Sequence, residues 1–206
     1  MVSAGNDPRP VGRIWTLNLD EPTPAFTPLV PATFGRAGPE AAPALAAAMG
    51  GETREILGRF ETGRRCYAAW VEGQLAAYGW VSFDEEFIGE LSLRLRLLPG
   101  EAYIWDCATL PAFRQRRLYS ALLVYILGAL RAEPLCRVWI GADLDNEASQ
   151  RGIARAGFRP VADLVMARVS ARRLVWVQGR TGVPAGLIAE ARRAFLDNRD
   201  QAWLAA

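Results

Sequence analysis

A chain of 206 residues, 51% hydrophobic and 22% charged with a net charge of +2, can bury the core of one domain and is too weakly basic to imply a nucleic-acid or membrane partner. It has no histidine and no lysine, all 24 basic residues being arginine, which excludes Ser-His-Asp and Cys-His catalysis, HExxH zinc sites, Schiff bases and P-loop lysines; carboxylates, tyrosine, cysteine, arginine and backbone groups must do any chemistry. Cys66, Cys107 and Cys136 form no CxxC pair, no apolar run reaches the ~18–20 residues of a membrane span, and no signal-peptide core opens the chain, so a cytoplasmic protein without metal is expected.

Prolines 8, 10, 22, 24 and 28 make residues 1–28 an extended lead-in, with a short edge strand at Trp15 and Leu17. A strand over 29–36 leads to Gly38-Pro39-Glu40, which opens an alanine-rich helix closed by Gly50-Gly51, and a second helix covers 52–60. Cys66 to Val71, a Glu72-Gly73 turn and Gln74 to Phe83 predict a hairpin. Over 88–97 the leucines 91, 93, 95 and 97 alternate with polar residues and predict one further strand. A strand over 102–110 ends at Pro111, and Leu118 to Ala132 forms a helix that is apolar around most of its circumference and must be enclosed. A strand over 137–144, a helix over 147–156 closed by Gly157, and a strand over 159–169 complete an α/β domain over 29–170. Residues 171–206 read as an appendage: a strand at 174–177 and an amphipathic stretch over 187–204 carrying Leu187, Ile188, Ala191, Phe195 and Trp203. That stretch can pack on its own domain or on a second copy, which would make a homodimer. Cys66 and Cys136 are read as core residues.

A strand that turns through a cationic loop straight into a buried helix suits a phosphate-bearing ligand, because first-turn N–H groups lack partners and the helix dipole favours anions. Here the loop is Ala112 to Tyr119, with Arg114, Arg116 and Arg117. Asn146-Glu147-Ala148-Ser149 and Arg155-Ala156-Gly157-Phe158 follow on the next helix and its exit.

In order and spacing these segments resemble the GNAT superfamily of acyl-CoA-dependent N-acyltransferases, where V-x-P-x-y is followed by R/Q-x-x-G-x-G/A, then N-x-x-A/S and K-x-G-F. The corresponding text is Thr109-Leu110-Pro111-Ala112-Phe113, Arg114 to Tyr119, Asn146 to Ser149 and Arg155 to Phe158. The resemblance implies a mixed, splayed β-sheet flanked by helices, with acetyl-CoA as acyl donor and an amine of a small molecule, amino sugar or peptide as acceptor. It assigns backbone contacts to pantetheine at Ala108 and Thr109, pyrophosphate binding to Arg114, Gln115, Arg116, Arg117, Leu118, Tyr119 and Ser120, and a pantetheine or bracing contact to Asn146, with Ser149 one turn on. Phe158 is read as core.

Two departures stand out. Arg117 and Tyr119 replace both motif glycines, so the nest of N–H groups is expected from residues with negative φ. Ile153 occupies the place of the tyrosine that commonly protonates the leaving thiolate. Catalytic candidates are therefore Asp106 and Glu101 as bases, with Glu85, Glu86 and Glu90 as water-relayed alternatives, and Tyr119 as substitute acid. Asp106, a charge in an apolar run, is either functional or paired with an arginine, and Cys107 is an acyl acceptor or a small hydrophobe. A non-catalytic acyl-CoA-binding or interaction domain, and an α/β domain without CoA, stay open beside the enzyme.

Overall fold

The computed structural model describes residues 7–169 and 172–195. In chain order these form β1 (Arg9–Asn18), β2 (Thr33–Ala37), α1 (Ala42–Met49), α2 (Thr53–Glu61), β3 (Arg65–Val71), β4 (Gln74–Ser82), β5 (Glu85–Ile88), β6 (Leu93–Arg96) and β7 (Glu101–Thr109). They continue with α3 (Leu118–Leu130), β8 (Arg137–Asp143), α4 (Glu147–Arg155), β9 (Arg159–Val169), β10 (Arg172–Gly179) and α5 (Ala185–Ala194). Eight strands make one mixed sheet in the order β10-β9-β1-β8-β7-β4-β3-β2. All pairings in it are antiparallel except β7 with β8.

Strand alternation sends side chains to two faces. On one face α3, apolar nearly all round, is enclosed by Tyr67, Ala77, Val81, Ile104, Val138 and Ile140, with Ile153 and Phe158 beside it. On the other, α1 and α2 cover the β2–β4 half around Leu45, Ile56 and Trp80, while β6 and α5 cover the β1 and β8–β10 half around Leu93, Trp139 and Phe195. Trp80, Trp139 and Phe195 are fully buried, each contributing about 1.5–3 kcal/mol by leaving water.

Three expectations change. Trp15 and Leu17 lie not in an edge strand but in β1, which pairs β8 on one side and β9 on the other, so the prolines mark only its entry and the loop after it. The single strand expected over 88–97 is a hairpin of β5 and β6, because Gly89–Leu91 forms a 3-10 turn and Ser92 takes φ +50°. Its leucine alternation holds from Leu93 onward, with Leu93, Leu95 and Leu97 buried. Cys136 is exposed, its thiol directed at the Gly100 carbonyl, whereas Cys66 is buried as expected. The strand expected at 174–177 is β10, at the sheet edge beside β9, and α5 packs on β6, β9 and β10 of its own chain. Trp203 lies outside the described residues.

Candidate active site

The site arises where β7 and β8 part. They pair in parallel from Glu101↔Arg137 to Ile104↔Ile140 and no further, although β8 stays with β1 to Asp143. A bulge drives the departure: the β4 register jumps from Tyr78↔Ala108 to Trp80↔Trp105, leaving Asp106 and Cys107 opposite Gly79, with Asp106 at φ +43°. Gly79 is needed there, since a Cβ would stand 2.8 Å from Cys107 Sγ. From Trp105 to Thr109 the edge of β7 facing the gap has no strand partner among the described residues.

The chain then turns through a 3-10 step at Pro111–Phe113 into the Arg114–Arg117 loop. Gln115 (φ +63°) and Arg117 (φ +60°) are both left-handed, correcting the expectation of negative φ; at 117 an arginine holds a conformation that glycine adopts without steric cost. Alternating handedness gathers backbone N–H groups into an anion-binding nest, and α3, thirteen residues long, starts directly after it without a side-chain cap. The Leu29 N–H braces the loop by donating to the Arg116 carbonyl at 2.9 Å. Arg114 Nε donates to the Thr109 carbonyl at 3.3 Å.

Across the gap, Asn146 caps α4, its Oδ1 accepting from the Ser149 N–H at 3.0 Å. Ser120 Oγ donates to the Gly152 carbonyl at 3.2 Å, tying α3 to α4. The Tyr119 ring fills the space over Gly152, where a Cβ would come within 2.4 Å of Cδ1, and its hydroxyl meets Ser149 Oγ at 3.1 Å.

These groups enclose a cleft of about 740 Å3. Of the expected coenzyme contacts, Ala108, Thr109, Arg114, Gln115, Arg117, Leu118, Tyr119, Ser120, Asn146 and Ser149 all line it. Arg116 does not: its guanidinium lies over the Phe113 ring at 5.6 Å. Arg151 and Arg155 add positive charge from α4. Their four-residue spacing on one helix face was the available signal. Thr109 Oγ1 is buried with no hydrogen-bond partner among the described residues, an arrangement that costs stability unless a ligand supplies the partner. A second cavity of about 240 Å3 continues through the splay, sharing Cys107, Tyr119, Asn146 and Ser149 with the cleft.

The catalytic candidates separate. Asp106 lines the second cavity and is also paired, its Oδ2 accepting from Arg59 Nη1 at 2.6 Å. Arg59 in turn lies over Trp105 and Trp80 at 4.7 and 5.2 Å. Glu101 stands at the far end of β7, away from both cavities; buried, it accepts two 2.7 Å bonds from Arg193 and one of 2.8 Å from the Leu98 N–H, so geometry removes it from the site. Glu85 pairs with Arg94 on the exposed hairpin. Burial pushes the Glu86 carboxyl up, but bonds from Arg64, Ser82 and the Phe87 N–H outweigh it and hold the group below its ordinary range. Glu90's side chain lies outside what is described. Burial pushes the Tyr119 phenol upward, so it keeps its proton at neutral pH. Burial likewise raises the Cys107 thiol, leaving it too little thiolate to serve as a nucleophile. Ile153 is fully buried against α3.

A model of the acetyltransferase (GNAT) family matches residues 34–158. The sequence has no match among curated proteins. Among solved structures, the fold is similar to that of an acetyltransferase of the GNAT family from Colwellia psychrerythraea (17% identity, 85% of this chain and 58% of that one, TM-score 0.55). It is also similar to a GCN5-related N-acetyltransferase from Sphaerobacter thermophilus (17% identity, 76% and 50%, TM-score 0.54). A third is a tandem GNAT protein from the clavulanic acid biosynthesis pathway (20% identity, 84% and 53%, TM-score 0.51). The chain spans half to three fifths of the length of each, and at these identities the likeness is one of fold.

Proposed function

The chain belongs to the acetyltransferase (GNAT) family, and from that premise we propose that it is an N-acyltransferase moving an acetyl group from acetyl-CoA to a primary amine by direct attack on the thioester. The observation that carries this reading is the left-handed pair Gln115 and Arg117 opening into α3 beside the unpaired edge of β7. In this reading the nest and the α3 N-terminus bind the pyrophosphate, with Arg114, Arg117, Arg151 and Arg155 around it. The pantetheine arm runs along Trp105 to Thr109 as an added strand, giving the orphaned Thr109 hydroxyl a partner.

The amine nitrogen bonds to the thioester carbon, the carbonyl π pair moves to oxygen, and collapse of the tetrahedral adduct breaks the C–S bond. The proton lost by the ammonium goes to the Asp106 carboxylate, whose Oδ2 alone is engaged by Arg59. The departing thiolate is met by the Tyr119 hydroxyl, which shares the boundary of both cavities and donates in place of the missing tyrosine at Ile153. A second reading, a non-catalytic acyl-CoA-binding domain, draws support from Ile153 alone.

Thiol release from acetyl-CoA with a panel of primary amines tests the proposal. Turnover that falls at least about tenfold in kcat in Tyr119→Phe, with KM for acetyl-CoA little changed, is expected for a donor used on the way to the transition state. Acetyl-CoA binding with no amine acetylated by the unaltered protein favours the second reading.

A further inference from the structure

Resting on the acyltransferase reading with Asp106 as proton acceptor, we infer that Arg59, on α2 and outside both cavities, is the positioning residue for that carboxylate, and that its loss lowers kcat through Asp106 alone. Asp106 is not held in place by its own strand. The bulge takes it out of the strand alternation, at φ +43° and in an exposed position. A short side chain left to water there samples several rotamers. A catalytic group misplaced by about 1 Å can lose about a hundredfold in rate, so a base at this position needs a fixed partner. Among the described residues the one hydrogen bond to its side chain comes from Arg59 Nη1, 2.6 Å from Oδ2. That bond engages Oδ2 and leaves Oδ1 to receive the ammonium proton.

Arg59 is itself held by contacts that suit a planar cation. Its guanidinium lies over the Trp105 ring at 4.7 Å and the Trp80 ring at 5.2 Å. Both rings are fixed from elsewhere. Trp80 is fully buried, and Trp105 Nε1 donates to Ser82 Oγ at 2.8 Å. Ser82 Oγ donates in turn to the buried Glu86 carboxylate at 2.6 Å, which also accepts from Arg64 Nε and Nη2 at 2.7 and 3.0 Å. A chain of contacts thus runs from Glu86 on β5 through Ser82 and Trp105 to Arg59, and ends at Asp106. A lysine would keep the charge of Arg59 but not the flat face and donor edge together. The Arg59 and Asp106 side chains are 26% and 32% exposed, and a pair so open to solvent contributes little to stability. Placement of the carboxylate, rather than folding energy, is what the pair supplies.

The test follows thiol release from acetyl-CoA with phenethylamine, glucosamine and a decapeptide bearing a free N-terminus as acceptors. It compares the unaltered protein with Arg59→Ala, Arg59→Lys, Asp106→Asn and the double variant Arg59→Ala, Asp106→Asn; asparagine tolerates the left-handed backbone at 106, so those variants fold. With the acceptor turned over fastest, Arg59→Ala should lower kcat by about ten- to a hundredfold with KM for acetyl-CoA unchanged. Arg59→Lys should fall between. The double variant should lie within about twofold of Asp106→Asn, because residues that act as a unit are not additive. Millimolar guanidinium ion should restore part of kcat in Arg59→Ala and none in the double variant, a recovery that a role in folding alone would not give. An unchanged or raised kcat in Arg59→Ala, or losses that add in the double variant, overturns the inference and leaves the acyltransferase reading intact. Acetyl-CoA binding with no acceptor acetylated by the unaltered protein overturns that reading and the catalytic role of Arg59 with it. The pairing is also read without turnover, from the Arg59 Nη resonances in NMR, assigned by their loss in Arg59→Lys. Guanidinium rotation that is slowed in the unaltered protein and freed in Asp106→Asn is expected; rotation equally free in both overturns the inference whatever the turnover.

Discussion

Arg117 is an exposed residue held at φ +60°, ψ +16° with no side-chain cap on the helix it precedes. A residue with a Cβ pays about 1–2 kcal/mol to sit in the left-handed region, a cost alanine shares with arginine and glycine avoids. Glycine in turn loses about 0.5–1 kcal/mol more chain entropy on folding, leaving about 0.5–1 kcal/mol in favour of Arg117→Gly over Arg117→Ala. Both substitutions remove the same guanidinium, so the comparison isolates backbone strain from charge. At roughly 2–4 °C per kcal/mol for a chain of this size, the glycine variant should melt about 1–4 °C above the alanine variant. Differential scanning calorimetry reads the difference directly. An alanine variant melting at or above the glycine variant would mean that residue 117 is not left-handed in solution, and the nest argument built on it would fall.

Three further outcomes follow from the same geometry. Thr109→Val removes a buried hydroxyl without a partner among the described residues, so the free protein should be unchanged or up to about 1 kcal/mol more stable while binding acetyl-CoA more weakly; destabilisation in urea unfolding would show that the hydroxyl is already satisfied. Arg193→Ala leaves Glu101, only 4% exposed, with the Leu98 N–H and a distant Arg137, and should cost about 1–3 kcal/mol with kcat unchanged below the melting range; a fall in kcat at unchanged stability would return Glu101 to the chemistry. Glu86 is held below its ordinary pKa by Arg64 and its neighbours, so its contribution is full above the unfolded value of ~4.3 and is lost as pH falls through the folded one. The stability gap between the unaltered protein and Glu86→Gln should therefore narrow from about pH 7 to about pH 3, and a gap that stays constant would contradict the assignment.

What could be read from the sequence was what lies close along the chain. The loop from Arg114 to Tyr119 opens into its helix within a few residues, so local chemistry pointed to an anion there, while Asn146, which lines the same cleft, was joined to it only by the resemblance to the GNAT superfamily. Conformation inside the loop was another matter. Residue types suggested negative φ, while the tertiary brace from Leu29 to the Arg116 carbonyl accompanies left-handed residues on either side and an Arg116 that turns to Phe113. Long-range partners were illegible as well. Arg59 lies 47 residues from Asp106 and Arg193 lies 92 from Glu101, so two similar acids on one strand gave no sign that one stands at the splay and the other serves as an anchor. The position of β1 between β8 and β9 depends on pairings more than a hundred residues apart, which its prolines could only misrepresent as an edge.

The claim that the Thr109–Ser120 cleft is a coenzyme site is tested most directly by calorimetric titration of the protein with acetyl-CoA and CoA, beside an Arg114→Ala, Arg117→Ala variant. Saturable binding by the unaltered protein, weakened at least about tenfold in the variant by the loss of two positive charges lining the cleft, is the predicted result. No heat of binding, or equal binding by both proteins, would contradict it.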